Sequence, residues 1–399
     1  MSNNDELTLN LLIIGQTGVG KSSLLNALVG EDVEEKGPGL YKTPKERKNE
    51  KGEIERGIYP HEAEIDGKKV IIHDSWGLEV GKDKEWEEII NNALKEKGSD
   101  KDIKDWFHSV TYCIQAGGHK IQDFDIKIIK KFMDEKYNVI IALTKADQID
   151  EEKEKKLIEI IKKETGINMV IPISADPQKF RGMTEAPKPF GLPEYKAAIL
   201  ISWREIFINR IPIHIIEKLK KDIEEAKSNA PKEGKDEELT NKIQEYFSDI
   251  LNKNIQKYVR ESVEKYYKIN ADILAASKNI KLSEKELNLD FRSELEGATK
   301  ETWEMFIDTW EYEEINLGDR IKLIAVATLI IPLAILENIV KPMEFLMHLW
   351  EKGDKIEKFI NDVGDEYIEK IGEKEFESEI RKIIINTLNE IDKKTIKLN

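Results

Sequence analysis

Gly15-Gln16-Thr17-Gly18-Val19-Gly20-Lys21-Ser22 follows directly on the apolar run Leu9–Ile14 and leads into Ser23–Val29. The pattern G-x-x-x-x-G-K-S needs a strand before it and a helix after it, and the flanking residues supply both. Its glycines let the chain turn tightly, so that successive N–H groups and a helix N-terminus converge on one point. Such a cradle suits a phosphate group, with Lys21 bridging the two outer phosphates and Ser22 ligating Mg²⁺. A chance Gly-rich turn carrying a Lys-Ser pair is the competing reading, and the strand and helix on either side argue against it.

The residues up to about Arg210 keep the same grammar. Further strands are expected at Lys69–His73, Val110–Gln115, Val139–Thr144 and Met169–Ile173, most of them too apolar for a half-exposed sheet. His61–Ile65 joined through Asp66-Gly67 to Lys69–His73 reads as a hairpin. Helices are expected to start near Lys21, Asp83, Asp123, Glu151 and Pro193. After Ile211 the strand signal stops. Leu239, Ile243, Tyr246 and Ile250, then Tyr258, Ser262, Tyr266, Ile269 and Ile273, recur at three- and four-residue steps of a long amphipathic helix. More helices are expected at 213–228, 283–314, 319–350, 354–371 and 373–396, with a turn over Ser228–Asp236. The fold class is therefore an α/β P-loop domain, residues 1–210, with a mostly parallel sheet flanked by helices. An all-α helical domain, residues 211–399, follows it.

Charge and composition remove several classes of function. The chain has 399 residues, with 35% charged and a net charge of −15, so a non-specific nucleic-acid surface is not expected. Its single cysteine, Cys113, excludes an intramolecular disulfide and sits in a strand-like run, where a small buried hydrophobe is expected. The start of the sequence carries no secretory pattern, which makes the cytoplasm the default compartment. Leu323–Leu336 is the longest uncharged run. It is shorter than the ~20 apolar residues of a spanning helix and contains Pro332, so a buried core helix is favoured over a membrane-dipping segment at a peripheral membrane surface.

Two later strand ends bear on the base. Thr144-Lys145-Ala146-Asp147 closes the strand Val139–Thr144, where a carboxylate can accept from the N1–H and exocyclic amine of guanine. Lys145 would lay its aliphatic stem along the base. Ile173-Ser174-Ala175 ends the next strand, where a backbone N–H reaches guanine O6. The competing reading of the first segment is an ordinary helix N-cap.

The motifs GQTGVGKS, DSWG, TKAD and SA, in that order, resemble the translation-factor-like class of guanine-nucleotide-binding proteins, and residues 18–28 are similar to the Era/TrmE/septin branch. An α/β domain followed by helices is also similar to immunity-related and bacterial dynamin-like GTPases. The resemblance spans about residues 7–210. It implies GTP/GDP as ligand with Mg²⁺, and a nucleotide site at Gly15, Thr17, Gly18, Val19, Gly20, Lys21, Ser22, Ser23, Thr144, Lys145, Asp147, Ser174 and Ala175. Asp74 would hold Mg²⁺ together with Ser22, and the Gly77 N–H would touch the γ-phosphate. Thr43, the one Ser or Thr between Gly30 and Asp74, is the candidate switch threonine and second Mg²⁺ ligand. Lys21, Thr43 and Gly77 form the expected catalytic set.

The sequence also departs from that class. Leu78 follows Gly77 where Ras-like enzymes carry a water-orienting glutamine. Trp76 stands where proline is common, and Thr17 is bulkier than the glycine of Ras-like loops. His119 reads as a loop residue rather than a catalytic one. Slow hydrolysis of GTP is expected, with water positioned by a cis cation, a potassium ion or a second G domain in a nucleotide-dependent homodimer. The alternative is a GTP-binding assembly protein with negligible hydrolysis.

Overall fold

A computed structural model describes residues 8–29, 47–48, 54–55, 57–65, 68–75, 82–118, 121–177, 179, 184–234, 236–276 and 356–396. In chain order the first half contains β1 (Leu9–Gly15), α1 (Lys21–Val29), β2 (Arg47–Lys48), β3 (Ile54–Glu55), β4 (Ile58–Ile65), β5 (Lys68–Ser75), α2 (Asp83–Glu96), β6 (Ser109–Gln115), α3 (Asp123–Asp134), β7 (Val139–Thr144), α4 (Glu151–Thr165) and β8 (Val170–Ile173). Helices α5 (Leu192–Lys227), α6 (Asp236–Ala276), α7 (Ile356–Ile371) and α8 (Lys374–Ile396) complete the described elements. The chain forms two compact units. Among the described residues, the first holds those up to Phe207 and 269–276, and the second holds Ile208–Lys268 and 356–396.

The main sheet of the first unit has the order β4-β5-β1-β6-β7-β8, and every pairing in it is parallel except β4 with β5. This is the mostly parallel, helix-flanked sheet expected, with the hairpin at its edge. Burial explains the composition. Leu11–Ile14, Val110–Ile114 and Val139–Leu143 are covered on both faces, so these strands are apolar throughout rather than alternating. The covering helices show their stripes in sequence. On α2, Trp86, Ile90 and Leu94 recur every four residues and are buried. On α3 the buried set includes Ile128, Ile129 and Phe132. Helix α4 starts where the Asp150 side chain accepts from the Lys153 N–H and ends on Gly166 at φ 77. The charged stretch Lys45–Arg56 holds a small antiparallel pair, β2 with β3, in which Arg47 faces Glu55.

One expectation fails. The helices expected from Pro193 and over 213–228 are not separate, because α5 is a single 36-residue helix running through Pro212. An interior proline costs about 3 kcal/mol through the lost N–H and its ring clash. Here the helix keeps Ile206, Phe207 and Ile211 buried before the proline, and Ile215, Leu219 and Ile223 buried after it. That apolar burial, at roughly 1.5–3 kcal/mol per large side chain, exceeds the penalty.

The second unit is helical. Its α5 segment meets α6 where Asp222 accepts from Asn254 Nδ2 at 2.8 Å and Tyr258 OH at 2.7 Å. Tyr367 of α7 packs against Phe247 and shares a hydroxyl contact of 2.8 Å with Ser248. Among the described residues, no helix is long and apolar enough to cross a membrane. Leu323–Leu336 and the helices expected at 283–314 and 319–350 lie outside the described residues.

The amino end of β1 is closed by a buried polar network. Asn10 Nδ2 donates to the Lys104 carbonyl at 2.8 Å, which leaves Oδ1 to accept from His73 Nε2 at 2.9 Å. The Asn10 N–H donates to His108 Nδ1 at 2.8 Å, so the His108 proton sits on Nε2 and is given to the Ile103 carbonyl at 3.0 Å. Three neighbouring strands are thereby tied at one level. Asn10→Leu keeps the volume but strands a buried ring N–H and a carbonyl. We expect it to destabilise the first unit by about 3 kcal/mol, read as a lowered denaturant midpoint with unchanged slope.

Candidate functional site

β1 ends in the middle of the sheet, with β5 on one side and β6 on the other, and its last residue must pass very close to β6. Gly15 has φ +152, and a Cβ there would lie 2.5 Å from the Cys113 carbonyl oxygen. Past it, Gly18 and Gly20 take φ +81 and +102, so the loop bends through conformations that side chains rarely adopt. Val19 between them is buried, whereas Thr17 and Gly18 are exposed. The turn delivers the chain into α1, whose first residues are Lys21, Ser22 and Ser23.

Lys21 is 6% exposed, and its ammonium donates to the carbonyls of Gly15 and Gln16, each at 3.0 Å. Burial pulls its pKa below the ordinary lysine value, and the nearby Asp74 carboxylate pushes the other way. Asp74 lies on β5 beside Ile13 of β1 and is fully buried. The lysine of the loop and the acid of the D-x-x-G segment are thus brought together by a parallel strand pairing. Beneath them Cys113 is buried, and desolvation raises its thiol to about 12, so it is the inert core residue its strand implied.

The ends of β7 and β8 supply the other wall. The Thr144 hydroxyl lies within bonding reach of the Val19 carbonyl and, at 3.1 Å, of the Ile114 carbonyl. Lys145 has φ 53, an uncommon conformation for a side-chain-bearing residue, and its ammonium donates to the Gly18 carbonyl at 2.8 Å. Its Nζ also lies 3.5 Å from Gln115 Oε1 at the end of β6. Asp147, in a short 3₁₀ turn, accepts from the Ser174 hydroxyl at 2.7 Å through Oδ1. Its Oδ2 is buried without a hydrogen-bond partner among the described residues. A carboxylate oxygen so placed is costly unless a donor reaches it. Ser174 is held by a two-way backbone bridge to Phe190, and Ala175 beside it is half-buried.

Gly15 through Ser23, Asp74, Thr144, Lys145, Asp147, Ser174 and Ala175 therefore lie at the carboxyl ends of β1, β5, β7 and β8 or in the segments following them. Thr43, Trp76, Gly77, Leu78 and His119 lie outside the described residues. The sequence did not disclose that Thr144 and Lys145 hold the glycine loop. Nothing local encodes that bond, since its partners are more than a hundred positions away.

Residues 5–179 match the family model described as Septin. Over 178 residues the chain is 26% identical to neuronal-specific septin-3 of Rattus norvegicus, covering 40% of this chain and 47% of that protein. It is 28% identical over 147 residues to septin-8-A of Danio rerio, covering 35% of each. It is 25% identical over 161 residues to cell division control protein 3 of Candida albicans, covering 36% and 38%. The match spans less than half the length of each relative. The first unit is a septin-like P-loop G domain. The match stops ahead of the helical unit and does not bear on the likeness to immunity-related or dynamin-like proteins.

Two glycines of the loop separate the effects of space and backbone angle. Gly18→Ala meets open space and suffers only the φ +81 strain, so about 1–2 kcal/mol is expected. Gly15→Ala adds a collision with a backbone oxygen in the middle of the sheet and should cost at least about 3 kcal/mol. Denaturant titration of the two variants in parallel measures the difference.

Proposed function

We propose that the chain binds guanine nucleotides and slowly hydrolyses GTP to GDP and phosphate, with the nucleotide state coupled to the helical unit. The observation that carries the choice of guanine is Asp147. One of its oxygens is committed to Ser174, and the other is buried with no donor among the described residues. Guanine presents N1–H and N2–H₂ as adjacent donors, and adenine does not. On the phosphate side Lys21 is a cation held near two carbonyls, and a phosphate oxygen is a stronger partner than either. Mg²⁺ would neutralise charge across the outer phosphates, with Ser22, Asp74 and Thr43 as its candidate holders.

Turnover is the weaker half of the machinery. Leu78 stands where a glutamine would orient the attacking water, so the chain needs a cis group, a monovalent cation or a second G domain. The same residue favours the second reading, a nucleotide-binding assembly protein with negligible hydrolysis. Single-turnover GTP cleavage across a hundredfold range of protein concentration separates the two. Acceleration with concentration supports completion of the site in a homodimer, and no measurable cleavage at any concentration supports the assembly reading.

Asp147→Asn tests the base. It keeps the shape but turns one acceptor into a donor facing N1–H, which should cost on the order of a hundredfold in GTP affinity. Xanthine carries an oxygen where guanine has its amine, so the variant should come to prefer xanthosine triphosphate. Lys21→Ala should lose both nucleotides. A folded Asp147→Asn protein that still prefers GTP would falsify the assignment of the base reader.

A further inference from the structure

One buried carboxylate touches the phosphate loop and has no part in the scheme above. Asp125, 3% exposed, lies in the first turn of α3. Its Oδ2 accepts from the Gln122 N–H at 2.9 Å, the capping bond that this position of a helix often makes. Capping accounts for only part of what the carboxylate does. The Gln16 side-chain amide donates to both oxygens, at 3.0 Å each, across 109 positions of sequence. The Tyr112 hydroxyl of β6 donates to Oδ1, and burial holds that phenol well above its ordinary pKa, so it remains a donor. Gln16 is the second residue of the glycine loop, and its backbone carbonyl is one of the two that hold Lys21.

These bonds form a continuous line from the start of α3 through Asp125 and Gln16 to the Lys21 ammonium. A loop with glycines at positions 15, 18 and 20 has many conformations open to it in isolation. Binding a phosphate in only one of them carries an ordering cost, unless the protein meets that cost in advance. Fixing the Gln16 side chain from outside the loop restricts that peptide, and with it the direction of the carbonyl that Lys21 uses. A carboxylate suits the task because it accepts from three donor groups at once, whereas an amide would set its own N–H₂ against one of them.

We propose that Asp125 is a positioning residue of the phosphate loop, holding it in its nucleotide-binding shape through Gln16. The proposal rests on the nucleotide reading above. Asp125 touches no phosphate itself, so its effect on affinity must pass through the Gln16 side chain.

A double-mutant cycle on the full chain tests this, with fluorescently labelled GDP as probe and thermal unfolding followed in parallel. Asp125→Asn and Gln16→Ala should each weaken GDP binding about tenfold, mainly through faster release. The double variant should bind no worse than the weaker single variant. A merely structural role for Asp125 predicts a lowered unfolding midpoint with effects on affinity that add. Lys127→Ala, on the same helix, removes an exposed ion pair to Glu87 and should leave GDP affinity unchanged. Additive effects, or two single variants that bind like the wild type, overturn the proposal. If Asp125→Asn does not fold, Gln16→Ala decides alone, since it removes a half-buried side chain from the loop side of the same bond. Wild-type affinity in that variant overturns the proposal. A wild-type protein that binds no guanine nucleotide removes the proposed function and this inference together, whereas tight wild-type binding with an unaffected cycle removes this inference alone.

Discussion

An ammonium group withdrawn from water must be met by acceptors, and in this protein that requirement organises the first unit. Lys21 is buried at the head of α1, its charge is disfavoured by desolvation, and it is offset by the Gly15 and Gln16 carbonyls and the nearby Asp74. For those carbonyls to converge, β1 must end between two parallel neighbours and turn at once. For Asp74 to stand close, β5 must run parallel to β1 in one particular register, with Ile13 beside it. The glycines follow from the same demand. At Gly15 the next strand is too near for any side chain.

The opposite end of β1 is held by a different kind of constraint. Asn10, His73 and His108 satisfy one another and the carbonyls of Ile103 and Lys104. Each bond contributes modestly, but leaving any one of them unmade in a core is expensive, so the network specifies one alignment of three strands. A central strand fixed at its base and loaded at its tip makes a rigid support for a flexible, glycine-rich loop. The loop is further gripped from β7 by Thr144 and Lys145 and from α3 through Gln16. Binding groups are thus placed on strand ends and helix starts, where packing limits their freedom. The second unit rests on different physics. Long amphipathic helices bury Leu239, Ile243, Phe247 and Leu251 at helical spacing and add a few polar locks such as Asp222 with Asn254 and Tyr258.

The septin likeness over residues 5–179 and the chemistry of the site point the same way, and they have separate origins. The likeness concerns sequence along the first unit. The chemistry concerns a carboxylate oxygen on Asp147, unmatched among the described residues, and a buried cation at Lys21. Lys21 follows the end of β1 and Asp147 follows the end of β7, both on the carboxyl side of the parallel strands. Leu78 stands at the position where the proposed hydrolysis would otherwise find a water-orienting glutamine.

The sequence by itself determined the kinds of elements and most of their places. Apolar runs marked the five parallel strands to within a residue or two, because strands covered on both faces have no reason to alternate. The starts at Lys21, Asp83, Asp123 and Glu151 were legible from periodicity and turn residues, and Gly15–Ser22 announced its own geometry. The helices expected from Pro193 and over 213–228 are one continuous α5, because the apolar burial that carries it through Pro212 is not a local signal. No local pattern singles out Asp125. Only the tertiary structure brought it to Gln16, set Thr144 and Lys145 on the glycine loop, and left one oxygen of Asp147 buried and unmatched among the described residues. Local patterns report what a residue does to its own backbone, whereas these contacts join residues 27 to 127 positions apart and exist only once the strands have been laid side by side.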